Sequence, residues 1–306
     1  MLTAPSSEST ALLLGFVGVG AMGEGMCRNL ARKAGRTVYA ADLDPGNLRR
    51  LEADGVLATD LAGLRRTAHI VFLCLPSIQQ VEDVCLDGPD PLCGPGSTIT
   101  AIVDMSTSDP KRTRALGERL ATIGVRFVDA PVARSREAAH KGTLLITVGG
   151  ATSDVESVRP LLDCMGSDVI HCGDLGAGQA VKIMNNLVAL CNVRVLAEAM
   201  AIASAAGVDE GLLARVLQLG SADSFVLRLV GQNHLARDEF PEKLFPTTYA
   251  LKDMRLALDM ASSVGMQAEV ASATADLMEK AIAQGYGLLY HPVVYRLLKS
   301  RAQKSE

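Results

Sequence analysis

Short apolar runs alternate with amphipathic stretches through the first half of the chain. Leu12 to Val19 reads as a strand, Met22 to Lys33 as a helix, Thr37 to Leu43 as a second strand and Pro45 to Asp54 as a second helix. Ile70 to Leu75, Thr98 to Met105, Val125 to Val128 and Leu144 to Val148 continue the series of strands. These strands are nearly continuous in apolar residues, the pattern of strands covered on both faces, and helices separate them. The expectation is a mainly parallel, doubly wound α/β sheet of the Rossmann type.

The pattern changes at Gly173-Asp174-Leu175-Gly176-Ala177-Gly178. From Gln179 to Ala206 neither Gly nor Pro occurs, and Val, Leu, Ala, Met and Asn dominate. At a rise of ~1.5 Å per residue this predicts a helix of about 40 Å. The remainder reads as helices broken at Gly207, Gly220, Pro241, Pro246, Gly265 and Gly285 to Gly287. The predicted division is a Rossmann-type domain over 1–173, with a flexible Ser/Thr-rich leader at 1–10, and an all-α domain over 174–306.

Gly18-Val19-Gly20-Ala21-Met22-Gly23 follows the first strand and opens the first helix. Glycines at these spacings permit a tight turn, close backbone approach to a pyrophosphate and close helix packing, while the helix N-terminus faces the phosphates. A G-x-G-x-x-G alone is a weak signal; its place between strand and helix makes it a dinucleotide site. Asp42 closes the second strand, 24 residues after Gly18. A carboxylate there accepts hydrogen bonds from ribose hydroxyls and repels a 2′-phosphate, and Asp44 adds a second negative charge. NAD is the expected cofactor; the alternative for Asp42 is capping of the following turn.

Composition narrows the partners. Apolar residues make up 48% of the 306, Trp is absent and the formal net charge is -4. No Lys/Arg run with interleaved aromatics occurs, which argues against nucleic acid as a partner. No basic start with a long apolar stretch marks a signal peptide, and no apolar run approaches bilayer length, so no membrane partner is expected. The seven cysteines form no C-x-x-C pair and no zinc spacing, so no metal is expected. They read as buried thiols in a reducing, cytoplasmic setting.

Gly15-Phe16-Val17-Gly18-Val19-Gly20-Ala21-Met22-Gly23-Glu24-Gly25-Met26 resembles the opening signature of the β-hydroxyacid dehydrogenases, which include 3-hydroxyisobutyrate dehydrogenase. The resemblance runs on through Leu75-Pro76, Asp104-Met105-Ser106-Thr107, Asp129-Ala130-Pro131-Val132, Gly142-Thr143-Leu144 and Gly149-Gly150. It ends with Gly176-Ala177-Gly178, Lys182, Asn185-Asn186 and Lys252-Asp253. It implies an NAD-dependent oxidoreductase that interconverts a short 3-hydroxy acid, or a sulfonate counterpart, and its semialdehyde. Lys182 is then the proton-transfer residue, its ammonium pKa lowered by the helix N-terminus. Asn185 and Asn186, at i+3 and i+4, share its helix face and orient the substrate. Leu75, Pro76 and Thr107 line the nicotinamide pocket, and Lys252 lies near the cofactor. Ser106 either offers the substrate a hydroxyl or stabilises a turn. The resemblance further implies assembly through the helical domain as a homodimer or homotetramer.

After Asp-Ala-Pro-Val the family carries Ser-Gly-Gly; this chain has Ala133-Arg134-Ser135. A guanidinium fork suits carboxylate or sulfonate oxygens, and the segment resembles in part that of sulfolactaldehyde reductases. Arg134 and Ser135 are therefore candidate contacts for a small anionic substrate, with Arg136 as the alternative cation. Two other classes fit less of the pattern. Many imine reductases replace the lysine that this chain keeps as Lys182, and a non-catalytic nucleotide-binding protein has no need of Lys182, Asn185 and Asn186 together.

Overall fold

The computed structural model describes residues 12–242 and 244–303, so the expected leader lies outside the described residues. In chain order the first unit runs β1 (Leu14–Val17), α1 (Gly23–Lys33), β2 (Val38–Ala41), α2 (Pro45–Arg49), β3 (Leu57–Ala58), α3 (Leu61–Thr67), β4 (Ile70–Leu73) and α4 (Ile78–Glu82). It continues through β5 (Ala101–Asp104), α5 (Pro110–Ala121), β6 (Arg126–Asp129), β7 (Val132–Ala133), α6 (Arg136–Lys141), β8 (Leu144–Gly149), α7 (Thr152–Leu162) and β9 (Gly166–Gly173). The strands lie in the order β3-β2-β1-β4-β5-β6-β8-β7, with β9 paired to β8. All pairs from β3 through β6 are parallel, and β8 reverses direction against β6. This is the expected doubly wound sheet.

The apolar strands divide their side chains between two cores. Leu14, Phe16, Ile70, Phe72, Ala101 and Val103 join one cluster with Met26, Cys27 and Leu30 of α1 and Val155, Val158 and Leu162 of α7. Val17, Val71, Leu73 and Ile102 join the other, with Leu64 of α3 and Leu116 and Leu120 of α5. A continuous apolar strand thus serves two faces at its period of two. All seven cysteines are free thiols, and burial pushes that of Cys93 up to about 11.

The second unit is helical. α8 (Ala177–Ala205) ends before Gly207, whose φ of 80° suits glycine. α9 (Glu210–Leu219) is capped by Asp209 and stops at Gly220. A π-helical segment, Leu227–Leu235, precedes α10 (Thr247–Ser263), α11 (Glu269–Ala281) and α12 (Val294–Gln303). Leu190, Val193, Leu196, Ala197 and Met200 of α8 pack in its core with Leu227, Met254, Met278 and Tyr295.

Two expectations are corrected. β3, β7 and β9 were not anticipated; β9 reads Gly-Ser-Asp-Val-Ile-His-Cys-Gly, and most of it is exposed at a sheet edge, so it lacks an apolar run. The compact units part after Lys182, the first turns of α8 being fastened to the sheet. And α8 is long and apolar enough by length and composition to cross a membrane, although its sequence is no unbroken apolar run. Its packed side is a core face of the helical unit.

Candidate active site

The glycine turn is shaped by contacts rather than by flexibility alone. Gly18 has φ 87°, and a Cβ there would meet the Cys74 carbonyl oxygen at 2.3 Å. A Cβ on Gly23 would lie 1.9 Å from the Gly18 oxygen, so only glycine lets α1 start directly against the strand end. Gly20 differs: its Cβ would meet nothing within 4 Å. Ala21 is exposed, and Met22, at the N-cap of α1, makes no side-chain capping bond. Open space above Gly20 at the start of a helix fits the phosphates of a dinucleotide.

Asp42, just past β2, accepts from the Val19 amide at 2.7 Å through Oδ2, and from the Asp44 amide and Asn47 Nδ2 at 2.8 and 3.0 Å through Oδ1. A carboxylate has about four acceptor sites, so Asp42 both caps its turn and keeps acceptor capacity beside the glycine loop. Leu75 and Pro76 follow β4, and the Leu75 amide donates to Ser106 Oγ at 2.9 Å. Ser106 is buried, and its own amide donates to Asp104 Oδ1 at 2.9 Å. Its hydroxyl joins the loops after β4 and β5, the turn-stabilising alternative of the sequence reading. Thr107 follows, half-buried. Burial, opposed by the bonds from Ser106 and reinforced by the Asp129 charge, pushes the Asp104 carboxyl up to about 6.

Arg134 has φ 84°, the left-handed region where the family keeps glycine. The turn thus retains its backbone shape with a residue that is strained in it. The guanidinium donates to Thr143 O at 2.6 Å, and to Ser167 Oγ and Asp168 Oδ2 at 2.7 Å each. The Ser167 hydroxyl and the Arg134 guanidinium hold the Asp168 carboxyl below the usual range. Ser135 caps α6, accepting from the Ala138 amide at 3.3 Å, and Arg136 is exposed in the first turn of that helix. The fork read as an anion holder is engaged with the protein itself.

α8 presents three polar residues on one buried face. Gln179, Lys182 and Asn186, at i, i+3 and i+7, are buried although polar, and Lys182 is only 9% exposed. Lysine is seldom buried without a specific partner or task. Asn185, by contrast, is exposed. Gln179 Nε2 donates to Ser106 O at 2.8 Å, and its Oε1 accepts from the Ser108 amide at 2.9 Å. In the helical unit Asn186 Nδ2 donates to Asp253 Oδ2 at 2.6 Å, Asn185 Nδ2 donates to Asn186 Oδ1 at 3.2 Å, and Lys252 Nζ lies 3.2 Å from Asp253 Oδ1. Because a carboxylate only accepts, Asp253 sets which end of the Asn186 amide faces it. Asp253 holds the Asn186 amide and Gln179 fastens the loop after β5; their sequence signals were the place of Asp253 in the Lys252-Asp253 motif and a polar residue one turn before Lys182.

Glycine turn, strand order and the lysine–asparagine helix face together describe a nicotinamide-dependent oxidoreductase. Residues 13–173 match the NAD-binding domain of 6-phosphogluconate dehydrogenase, and residues 176–298 match the NAD-binding segment of NADP-dependent 3-hydroxyisobutyrate dehydrogenase. The chain is 33% identical to 2-(hydroxymethyl)glutarate dehydrogenase of Eubacterium barkeri, over 90% of this chain and 91% of that one. It is 30% identical to 2-hydroxy-3-oxopropionate reductase of Escherichia coli, over 94% and 98%. The solved 3-hydroxyisobutyrate dehydrogenase of Mycobacterium tuberculosis with L-serine superposes with a TM-score of 0.81 at 28% identity, over 95% and 100%. The chain belongs to the β-hydroxyacid dehydrogenase family, the NAD(P)-dependent oxidoreductases of hydroxy acids.

Two predictions follow from this geometry. Gly20→Ala should leave the urea midpoint unchanged while weakening NADH binding at least about 10-fold by filling the phosphate cradle, whereas Gly23→Ala should lower the midpoint; equal effects on folding would refute the distinction. Arg134→Gly should unfold at higher urea than Arg134→Ala, by about 1 kcal/mol, since both lose the fork but only glycine relieves the positive φ. If the alanine protein proved the more stable, the turn would not be strained.

Proposed function

We propose that the protein oxidises a short 3-hydroxycarboxylate to its semialdehyde, and reduces the latter, with Lys182 as the proton-transfer residue and NAD as the preferred cofactor. The buried Lys182, on one helix face with Asn186, carries this reading. When bound, the nicotinamide supplies or takes up the hydride. In reduction the carbonyl oxygen gains negative charge as the hydride arrives, and Lys182 Nζ donates the proton that makes the alcohol. In oxidation Nζ takes that proton back. Asn186, its amide fixed by Asp253, and Asn185 orient the substrate without adding charge.

A carboxylate tail is placed ahead of a sulfonate one, because the Arg134 fork already serves Thr143, Ser167 and Asp168. L-serine, solved with the M. tuberculosis relative, is itself a 3-hydroxy acid. Assembly of two or more copies is part of the same reading: Val188, Val195 and Ile202 stand exposed at seven-residue spacing along α8, an apolar stripe suited to another copy of the chain.

Lys182→Ala should bind NADH normally yet lose about two to four orders of magnitude in turnover across a panel of carboxylate, sulfonate and uncharged aldehydes. Near-normal turnover would overturn the lysine's role, and a sulfonate as the best substrate would overturn the order of tails. For the cofactor, kcat/KM should favour NAD(H) over NADP(H), with Asp42→Ser narrowing the gap, since the carboxylate repels a 2′-phosphate. Equal efficiency with both cofactors in the unaltered enzyme would count against Asp42.

A further inference from the structure

We infer that Asp129 is a positioning residue for Lys182, acting through the first turn of α8; the inference rests on the reading of Lys182 as the proton donor. Asp129 ends β6 and is fully buried. Its Oδ1 accepts from the Gly176 amide at 2.6 Å and its Oδ2 from the Gln179 amide at 2.7 Å. These are amides at the start of a helix, which have no partner within it, and Asp129 reaches them from a strand about fifty residues earlier in the chain. Lys182 stands one turn beyond Gln179, so the carboxylate fixes the height and rotation of the turn from which the lysine projects.

The surroundings leave that turn no freedom. A Cβ on Gly149 would lie 2.4 Å from Asp129 Oδ1 and 2.8 Å from the Gly178 nitrogen. A Cβ on Gly178 would lie 2.5 Å from Thr147 O and 2.8 Å from Asp129 Oδ2. Thr147 Oγ1 donates to Gly178 O at 3.0 Å, the carbonyl that the Lys182 amide meets by helical i→i−4 bonding. Gln179 fastens the same turn to Ser106 and Ser108. The charged groups around Asp129 are Asp104, its register partner on β5, and Arg114 of α5, with the Cys172 thiol on β9. Burial raises the Asp129 pKa, and the two amide bonds and the Arg114 charge oppose that rise. Replacing the carboxylate by an amide sets an N–H against one of two backbone N–H groups, and the turn must tilt or fray to escape.

The experiment is a double-mutant cycle between Asp129→Asn and Lys182→Ala, with turnover expressed per NADH-binding site and Lys182→Ala measured first. Asp129→Asn alone should lower kcat about 10- to 100-fold with NADH affinity within about twofold, the scale on which small misplacements act. In the Lys182→Ala background it should cause no further loss, because a residue acting through another has nothing left to act on. Gly178→Ala, which moves the turn but keeps the carboxylate, should reproduce the loss although alanine is ordinarily the better helix former; it replaces Asp129→Asn in the cycle if that protein does not fold. Normal turnover of the single variant, or losses that multiply in the double variant, would overturn the positioning role while leaving Lys182 as donor. Undiminished turnover of Lys182→Ala itself would overturn the donor reading, and the inference with it.

Discussion

The carboxylate of Asp129 has no water to face, and everything that makes the site geometrical begins with how it is satisfied. A buried charge must be met by donors or it destabilises the fold by several kcal/mol, roughly. The donors are two amides at the head of α8, so the need to satisfy one side chain locks a helix to a sheet. The antiparallel pairing of Asp129 with Gly149 brings in the partner strand, and glycines at 149 and 178 let the two backbones meet at that point. The boundary between compact units consequently falls inside a continuous helix, after Lys182.

Topology supplies the rest of the arrangement in the first unit. β1, β2, β4, β5 and β6 are mutually parallel neighbours, so their C-terminal ends share one edge of the sheet. Gly18, Asp42, Leu75, Ser106 and Asp129 are the residues at those ends or just past them. Ligands in open α/β sheets bind outside this edge because loops there can vary while the sheet stays fixed. The hydrogen bonds from Val19 to Asp42 and from Leu75 to Ser106 each join two neighbouring loops along it.

Much of this was legible in the sequence, for definite reasons. Strands covered on both faces read as apolar runs, so β1, β2, β4, β5, β6 and β8 announce themselves, and the run without Gly or Pro announces α8. The glycine turn and Asp42 are local signals. β9 was invisible because an exposed edge strand needs no apolar pattern. The Gly-rich turn marks the join between the two family-model matches, at 13–173 and 176–298, although compact packing carries on to Lys182. Asp129 stood out only as part of a motif, since an acceptor for amides some fifty residues away leaves no periodicity, and Gln179, which accepts from the Ser108 amide, leaves none either. Arg134 is a different case. Its chemistry suggested a ligand, whereas its position on the turn gave it nearby protein acceptors.

The glycine turn carries a consequence for how such an enzyme diversifies. Main-chain groups and the empty space at Gly20 suit a dinucleotide's phosphates without any particular side chain. On the proposed reading, discrimination between cofactors falls to the Asp42 side chain just past β2, tied to the turn by one bond from Val19. Grip and selectivity are therefore separable traits: selection can exchange one dinucleotide for another at the ribose end without rebuilding the anchorage, and a lineage can wander between redox pools while its catalytic helix stays untouched.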